Sequence, residues 1–300
     1  MLLVVAESSG SSPGRAGYKM AVAQDGDLVG SIGGGMMEVN LVESAREILS
    51  EPPAVAGGLT SGLIEQEHRK NAAHPSGMIC SGEQTVISKL LTPSDLNAVE
   101  TAVENVGLSL TITPNEFGVG PSDGATSSVS FEKISDTDFV YSERLGPKNE
   151  LVIIGGGHCA LALSELMSKM DFRIRIFDDR PELNTIEKNV FADEITIIDG
   201  YEDVADRIPQ GGNAYVIVMT IGYKTDAVVI RKLAGQNFKY LGVLGSKAKM
   251  ASLMRELKAE GYDADGLDRI HTPIGIPINS HTPEEIAVSI AAEIISIKNS

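Results

Sequence analysis

The sequence predicts an α/β protein in two parts, a C-terminal parallel sheet covered by helices and, before it, an α+β domain. Three observations predict this. Leu151 to Ile154 is a short apolar run, as a parallel strand buried on both faces requires. It runs into Gly155-Gly156-Gly157-His158-Cys159-Ala160, a G-x-G-x-x-A turn, and then into a helical pattern with Leu163, Leu166, Met167 and Met170 on one face. From there to the end, apolar strands alternate with helical patterns, the mark of a sheet with helices on both faces.

The elements of the second part follow in order. Gly155 permits the tight turn, Gly157 lets a ligand approach the backbone, and Ala160 lets helix and strand pack closely. The helix N-terminus offers N–H groups and a positive dipole end to a phosphate. Arg173 to Phe177 is the second strand. Asp178 then lies about 20 residues past the glycines, where Rossmann-like folds place the carboxylate for a ribose hydroxyl. Asp179 and Arg180 read as its rim. The same pattern also suits a Rossmann-like unit whose ligand site is empty or altered, because fold does not imply function. Further strands are expected at Ile195 to Ile198, Ala214 to Thr220 and Tyr240 to Leu244. Helices are expected at Tyr201 to Arg207, at Asp226 to Ala234, after a Ser246 cap, and after the capping box Thr282-Pro283-Glu284-Glu285. Ligands of such sheets sit at the carboxyl ends of the strands. That edge gathers Gly155, Gly157, His158, Asp178, Thr220, Gly245 and Ser246.

The first part is read as residues 1–146 and the second as 147–300, joined by Gly146-Pro147-Lys148-Asn149. Leu2 to Ala6 is a strand, followed by a Ser-Gly-Pro loop. Tyr18 to Ala23 and Leu28 to Ile32 flank Asp25-Gly26, a hairpin turn. Gly33-Gly34-Gly35 then opens a helix with Val42, Ala45, Ile48 and Leu49 on one face. Glu51 to His74 reads as irregular and polar. Thr85 to Leu91 is a strand, and Thr92-Pro93 starts a helix carrying Leu96, Val99 and Val103. Leu108 to Thr113, Ser127 to Ile134 and Phe139 to Ser142 are short strands.

Composition narrows the function classes. Twenty-five Lys+Arg face 41 Asp+Glu, a net charge of −16, which argues against nucleic acid or an anionic membrane as a partner. Two cysteines, Cys80 and Cys159, make no disulfide framework and suit a reducing cytoplasm. The apolar opening meets Glu7 too early for a signal peptide, and no run approaches the roughly 18 apolar residues of a membrane helix. His68, His74 and His281 have no metal-ligand spacing with either cysteine, so no zinc site is expected.

Several stretches together resemble the xanthine dehydrogenase accessory proteins, the XdhC/CoxI family. They are Gly10-Ser11-Ser12-Pro13, Gly30-Ser31-Ile32-Gly33-Gly34-Gly35 with Glu38, and Cys80 with Gly82. In the second half they are Gly155-Gly156-Gly157-His158, Asp178-Asp179-Arg180-Pro181, Val218-Met219-Thr220, Gly242 to Lys247, and His271-Thr272-Pro273-Ile274-Gly275. The resemblance implies a cytoplasmic, homodimeric accessory protein. Such a protein binds molybdenum cofactor (molybdopterin), holds it while a cysteine desulfurase supplies sulfur, and passes it to a xanthine dehydrogenase-type molybdenum hydroxylase. It also implies NAD(P) or another nucleotide in the Rossmann half. The chain departs from the family where Met36 replaces the usual Cys after the glycines, where no helix precedes the first strand, and where Ile221 to Asp226 contains no His.

Each candidate residue has two readings. Gly33, Gly34 and Gly35 cradle a pterin phosphate by backbone N–H groups, or make a tight strand-to-helix turn. Cys80 is a thiolate for molybdenum or a sulfur relay, or a small buried hydrophobe. Arg15 and Lys19 neutralise the phosphate, or are solvated charges. Glu38 complements the helix dipole, or bonds pterin nitrogens. His158 and His271 handle protons or ligand groups, or make rim contacts. The rival classes are an NAD(P)-dependent oxidoreductase, with His158 or Tyr223 as proton donor, and a non-catalytic nucleotide-binding scaffold.

Overall fold

The computed structural model describes residues 1–50, 61–67, 82–104, 107–122, 129–147 and 149–300. The chain divides into two units, Met1–Gly146 and Pro147–Ser300.

The first unit holds two antiparallel sheets. One contains β1 (Leu2–Gly10), β2 (Lys19–Val22), β3 (Leu28–Gly30), β4 (Ser61–Glu67) and β5 (Gly82–Lys89), in the order β3-β2-β1-β5-β4. The other contains β6 (Leu108–Ile112), β7 (Phe117–Pro121), β8 (Val129–Lys133) and β9 (Phe139–Arg144), in the order β7-β6-β9-β8. Helix α1 (Gly35–Ser50) covers one face of the first sheet, where Leu3, Val5 and Val86 meet Met37, Leu41, Val42 and Ala45. The other face carries Val4, Ala6 and Ile87, which pack on Leu110, Ile112, Phe139 and Tyr141 of the second sheet. Strand side chains alternate between faces. A central strand covered on both sides is therefore apolar throughout, which accounts for the unbroken Leu-Leu-Val-Val-Ala of β1.

Three expectations change in this unit. Within the stretch read as irregular, Ser61–Glu67 is an edge strand paired with β5. It carries only Leu63 and Ile64 as apolar residues, one packed against each core cluster, so no alternation marks it. Phe117–Pro121, not expected as a strand, is also an edge, and its glycines hide the pattern. Helix α2 (Leu96–Glu104) forms where expected, but buries no residue; Leu96 is 56% and Val103 82% exposed.

The second unit is one parallel sheet of β10 (Asn149–Ile154), β11 (Phe172–Asp178), β12 (Glu194–Ile197), β13 (Gly211–Val218), β14 (Phe238–Val243) and β15 (Ile270–His271). Its order is β12-β11-β10-β13-β14-β15. Numbered within the sheet this is 3-2-1-4-5-6, the dinucleotide-binding order, whose switch point lies between β10 and β13. Helices α3 (His158–Met167) and α8 (Pro283–Lys298) cover the face of Leu151, Ile153, Tyr215 and Ile217. Helices α5 (Tyr223–Leu233) and α6 (Lys247–Ala259), with the 3₁₀ turn Tyr201–Arg207, cover the face of Val152, Ile154, Val216 and Val218. The short helices α4 (Asn184–Glu187) and α7 (Ala264–Asp268) and the two-residue β15 were not expected; each is shorter than a periodic signal needs. The predicted capping box is present at α8: the Thr282 hydroxyl accepts from the Glu285 N–H at 3.2 Å, and the Glu285 carboxylate accepts from the Thr282 N–H at 3.1 Å.

Gly155 is the joint of this sheet. Its φ is +112°, and a Cβ there would collide with the Met219 carbonyl across the switch point. Gly235 has φ +90° with open space around it. Gly155→Ala should therefore cost about 2–4 kcal/mol, strain plus collision, and Gly235→Ala about 1 kcal/mol, strain alone. Urea unfolding of the two variants checks the difference.

Candidate functional site

In the first unit, glycines bring three of the singled-out stretches together. A Cβ on Gly33 would lie 2.5 Å from the Gly14 nitrogen, and one on Gly82 would lie 2.5 Å from the Ser12 nitrogen. One on Gly14 would meet the Ile32 carbonyl. Only hydrogen at these positions lets the Gly10–Gly14 loop, the Ile32–Gly35 loop and the start of β5 pack backbone against backbone. Gln84 ties them further. It is buried, its Oε1 accepts from the Ser12 hydroxyl at 2.7 Å, and its Nε2 lies 2.8 Å from Met37 Sδ. Beside this junction the unit has a pocket of about 360 Å³ lined by Glu7, Ser9, Glu65, Glu83, Gln84 and Thr85. A register shift in β1 between Val5 and Glu7 falls directly before the Glu7 carboxylate.

The glycine loop keeps its own N–H groups occupied. Glu38, in the first turn of α1, accepts from the Ile32 N–H at 2.8 Å, the Gly34 N–H at 3.1 Å and the Ser31 hydroxyl at 2.7 Å. The Gly33 N–H donates to the Ser31 hydroxyl at 3.1 Å. Partial burial opposes the charge on Glu38, but these bonds outweigh it and hold its carboxyl below the usual range. Two of the three glycine N–H groups expected to meet a phosphate are thus spent within the loop, and a carboxylate stands where the anion would. Lys19 pairs with Glu143 and donates to the Gly17 carbonyl at 2.9 Å, so its charge is matched inside the unit. Arg15 is exposed and reaches the Gly10 carbonyl at 3.4 Å. Cys80, His68 and His74 lie outside the described residues.

In the second unit, Thr220 sits beside Gly155 at the switch point. Its N–H and hydroxyl donate to Asp226 Oδ1 at 3.0 and 2.6 Å, and its hydroxyl lies 2.5 Å from that of Thr225. Sequence reasoning passed over Asp226, which is buried in the first turn of α5. Burial pushes its carboxyl up; the Thr220 bonds and Lys249 counter this in part. The signal available was an acid in a helix's first turn six residues after a strand-end threonine. The surroundings of Gly157 and Gly222 are open. Ser246 caps α6 loosely, accepting from the Lys249 N–H at 3.5 Å; Gly245 faces Met250.

Asp178 is fully buried, and every oxygen lone pair has a donor. Oδ2 accepts from the Gly156 N–H at 2.6 Å and the Arg180 guanidinium at 2.7 Å. Oδ1 accepts from the Arg180 N–H at 2.9 Å and Arg180 Nε at 2.8 Å. Burial disfavours its charge, but Arg180 and Gly156 overcome it and hold the carboxyl low. A dinucleotide implied by the fold therefore meets a turn open at Gly157 but with its Gly156 N–H already spent, and a ribose carboxylate with nothing left to accept. His158 is exposed and lines a groove with Leu161, Leu166, Pro283 and Val288 between α3 and α8. Cys159 is half-buried, and burial with Glu284 pushes its thiol up. His271 is placed apart from these, on the edge strand. Its Nδ1 lies 3.1 Å from Glu293, which also accepts from the Tyr240 hydroxyl at 2.5 Å and the Gly275 N–H at 2.8 Å. Among the described residues no group of three or more His, Cys, Asp or Glu is arranged to hold a metal ion, and no helix is long and apolar enough to cross a membrane.

Glu38 should make the first unit's stability depend on pH. Its folded pKa lies below the unfolded one, so its contribution is full above the unfolded pKa and is lost as pH falls through the folded pKa. Glu38→Gln should lower stability at neutral pH by about 1 kcal/mol, and the gap from wild type should close in acid. Urea midpoints across pH measure it.

A model of the XdhC and CoxI family matches residues 1–56, and a model of the XdhC Rossmann domain matches residues 151–294. The chain is 25% identical over 321 residues to a Bacillus subtilis protein named as a probable xanthine dehydrogenase subunit, covering 99% of this chain and 93% of that one. It is 24% identical over 297 residues to the uncharacterized Escherichia coli protein YqeB, covering 98% of this chain but 43% of YqeB. A Bacillus halodurans crystal structure described as a xanthine dehydrogenase shares the fold, with TM-score 0.71 and 23% identity over 99% of this chain and 91% of that one. The glycine junction of the first unit and the 3-2-1-4-5-6 sheet of the second lie within those two matched regions, and the chain belongs to the XdhC and CoxI family.

Proposed function

We propose that this chain is an accessory protein to a xanthine dehydrogenase-type molybdenum hydroxylase, with molybdenum cofactor as its cargo. It binds the cofactor, holds it while sulfur is installed, and passes it on. Family membership and the naming of the Bacillus subtilis relative support the accessory role. The partners this reading calls for are the hydroxylase and a cysteine desulfurase, with the chain as a cytoplasmic homodimer.

The observation that carries the reading is the polar pocket beside the glycine junction. A pterin presents adjacent N–H donors along one edge of its ring. Glu7, Glu65 and Glu83 are acceptor-only when ionised, and a carboxylate can take two such donors side by side. On this reading the pterin ring, rather than the cofactor's phosphate, meets the first unit's surface, and the service of the loop N–H groups to Glu38 supports it. The ring is assigned to the three carboxylates together; Glu65 also pairs with Lys133 at 2.7 Å, and Glu7 also accepts from the Thr85 hydroxyl at 3.3 Å. Cys80, two residues before Gly82 in sequence, is the proposed thiolate for molybdenum or sulfur. The chemistry asked of the protein is binding and exclusion of water, with no proton transfer assigned.

The test is purification from a host that makes molybdenum cofactor, with molybdenum read by mass spectrometry and oxidised pterin by fluorescence. Wild type should carry both at near stoichiometry. The Glu7→Gln/Glu83→Gln double variant should lose most of the pterin, and Cys80→Ala should lose molybdenum or its terminal sulfur. A folded wild type without either component overturns the proposal.

A further inference from the structure

We infer that Arg180 is a specificity-determining residue that closes the ribose position of the second unit, so that this Rossmann unit does not take NAD(H) through Asp178. The inference does not depend on the cargo reading. An ionised carboxylate offers about four lone-pair sites. At Asp178 all four are filled, one by the Gly156 N–H and three by Arg180 through its backbone N–H, Nε and a terminal nitrogen. The pair is two residues apart in sequence, so closing it fixes little additional chain. Asp178 is wholly buried beneath it. A ribose hydroxyl reaching Asp178 would exchange charge-assisted bonds for neutral ones and strip a buried anion of its countercharge.

The surroundings reinforce the closure. The Thr185 hydroxyl donates to the Gly156 carbonyl at 2.5 Å. Ile186 Cγ1 lies 2.7 Å from where a Gly156 Cβ would be, so α4 lies against the middle of the glycine turn. Nor does Arg180 become a free site for the extra phosphate of NADP(H). Its charge is balanced by Asp178, and Asp179 lies 3.7 Å from its Nε. Asp179 in turn accepts from the Tyr201 hydroxyl at 3.2 Å. The groups facing this position carry one positive and two negative charges, which repels a phosphate dianion. The glycine turn and strand order of a dinucleotide fold thus persist here with the adenosine-ribose contact supplied by the chain itself.

The experiment titrates NADH and NADPH into the full chain by fluorescence and by calorimetry. Wild type should show a dissociation constant weaker than about 1 mM for both, a binding energy of only about 4 kcal/mol. Arg180→Ala frees two of the four acceptor sites and should tighten NADH at least tenfold while leaving NADPH weak. Because the variant leaves a buried carboxylate without its cation, Arg180→Gln, which can keep one donor on Asp178, is measured beside it, and urea unfolding confirms that each is folded. Micromolar binding of either nucleotide by wild type overturns the inference. So does the absence of any gain for NADH in a folded Arg180 variant.

Discussion

A glycine loop gives up more conformational freedom on folding than any other backbone, and in each unit one carboxylate restrains it. Glu38 gathers the N–H groups of Ile32 and Gly34 with the Ser31 hydroxyl. Asp178 takes the Gly156 N–H and the whole of the Arg180 fork. The rest of each site follows from these two restraints. With Glu38 in place, Gly33 can lie against Pro13 and Gly14, and that contact sets the loop beside the start of β5. With Asp178 in place, Gly155 turns toward Met219 and sets the β10–α3 turn beside Thr220. Both restraints are anionic, and both occupy the kind of N–H groups that such loops elsewhere give to phosphates.

That substitution changes what the loops are for. Three glycines in a row invite the reading of an open anion cradle, yet the close backbone approaches at Gly14, Gly33 and Gly82 explain the glycines by packing among three segments of the same chain. In the proposed reading, recognition falls to side chains that border the junction, the carboxylates of Glu7, Glu65 and Glu83, while the Gln84 amide ties the Ser12 loop to Met37 of α1.

The fold was legible wherever burial imposed a pattern. The runs of β1, β10 and β13 are apolar because each is covered on both faces, and α3 and α8 show their core stripes at helical spacing. Edge strands β4 and β7 were illegible because one side of each lacks a partner and few of their residues must be apolar. Helix α2 misled in the opposite sense: its apolar residues have the right spacing but no core to meet. At the sites, residue types were readable and their partners were not. The sequence marks Asp178 as the acid after the second strand, but whether its oxygens face a ligand or Arg180 is decided by a rotamer and a short return of chain. Glu38 and Asp226 show the same gap, since an acid in a first helical turn reads as a dipole complement and its reach back to a preceding loop is a tertiary fact.

The two restraints differ in how firmly they hold. Glu38 is half-buried and its bonds all run back to the loop that precedes its helix, so they open at modest cost. Asp178 is fully buried, and its release requires moving Arg180 and leaving a charge without partner in the interior. Exchange of a bound molecule needs a site whose local order can be opened and closed without unfolding its unit. By that criterion the first unit is the better fit to the loading role proposed above, and the second is the more firmly closed.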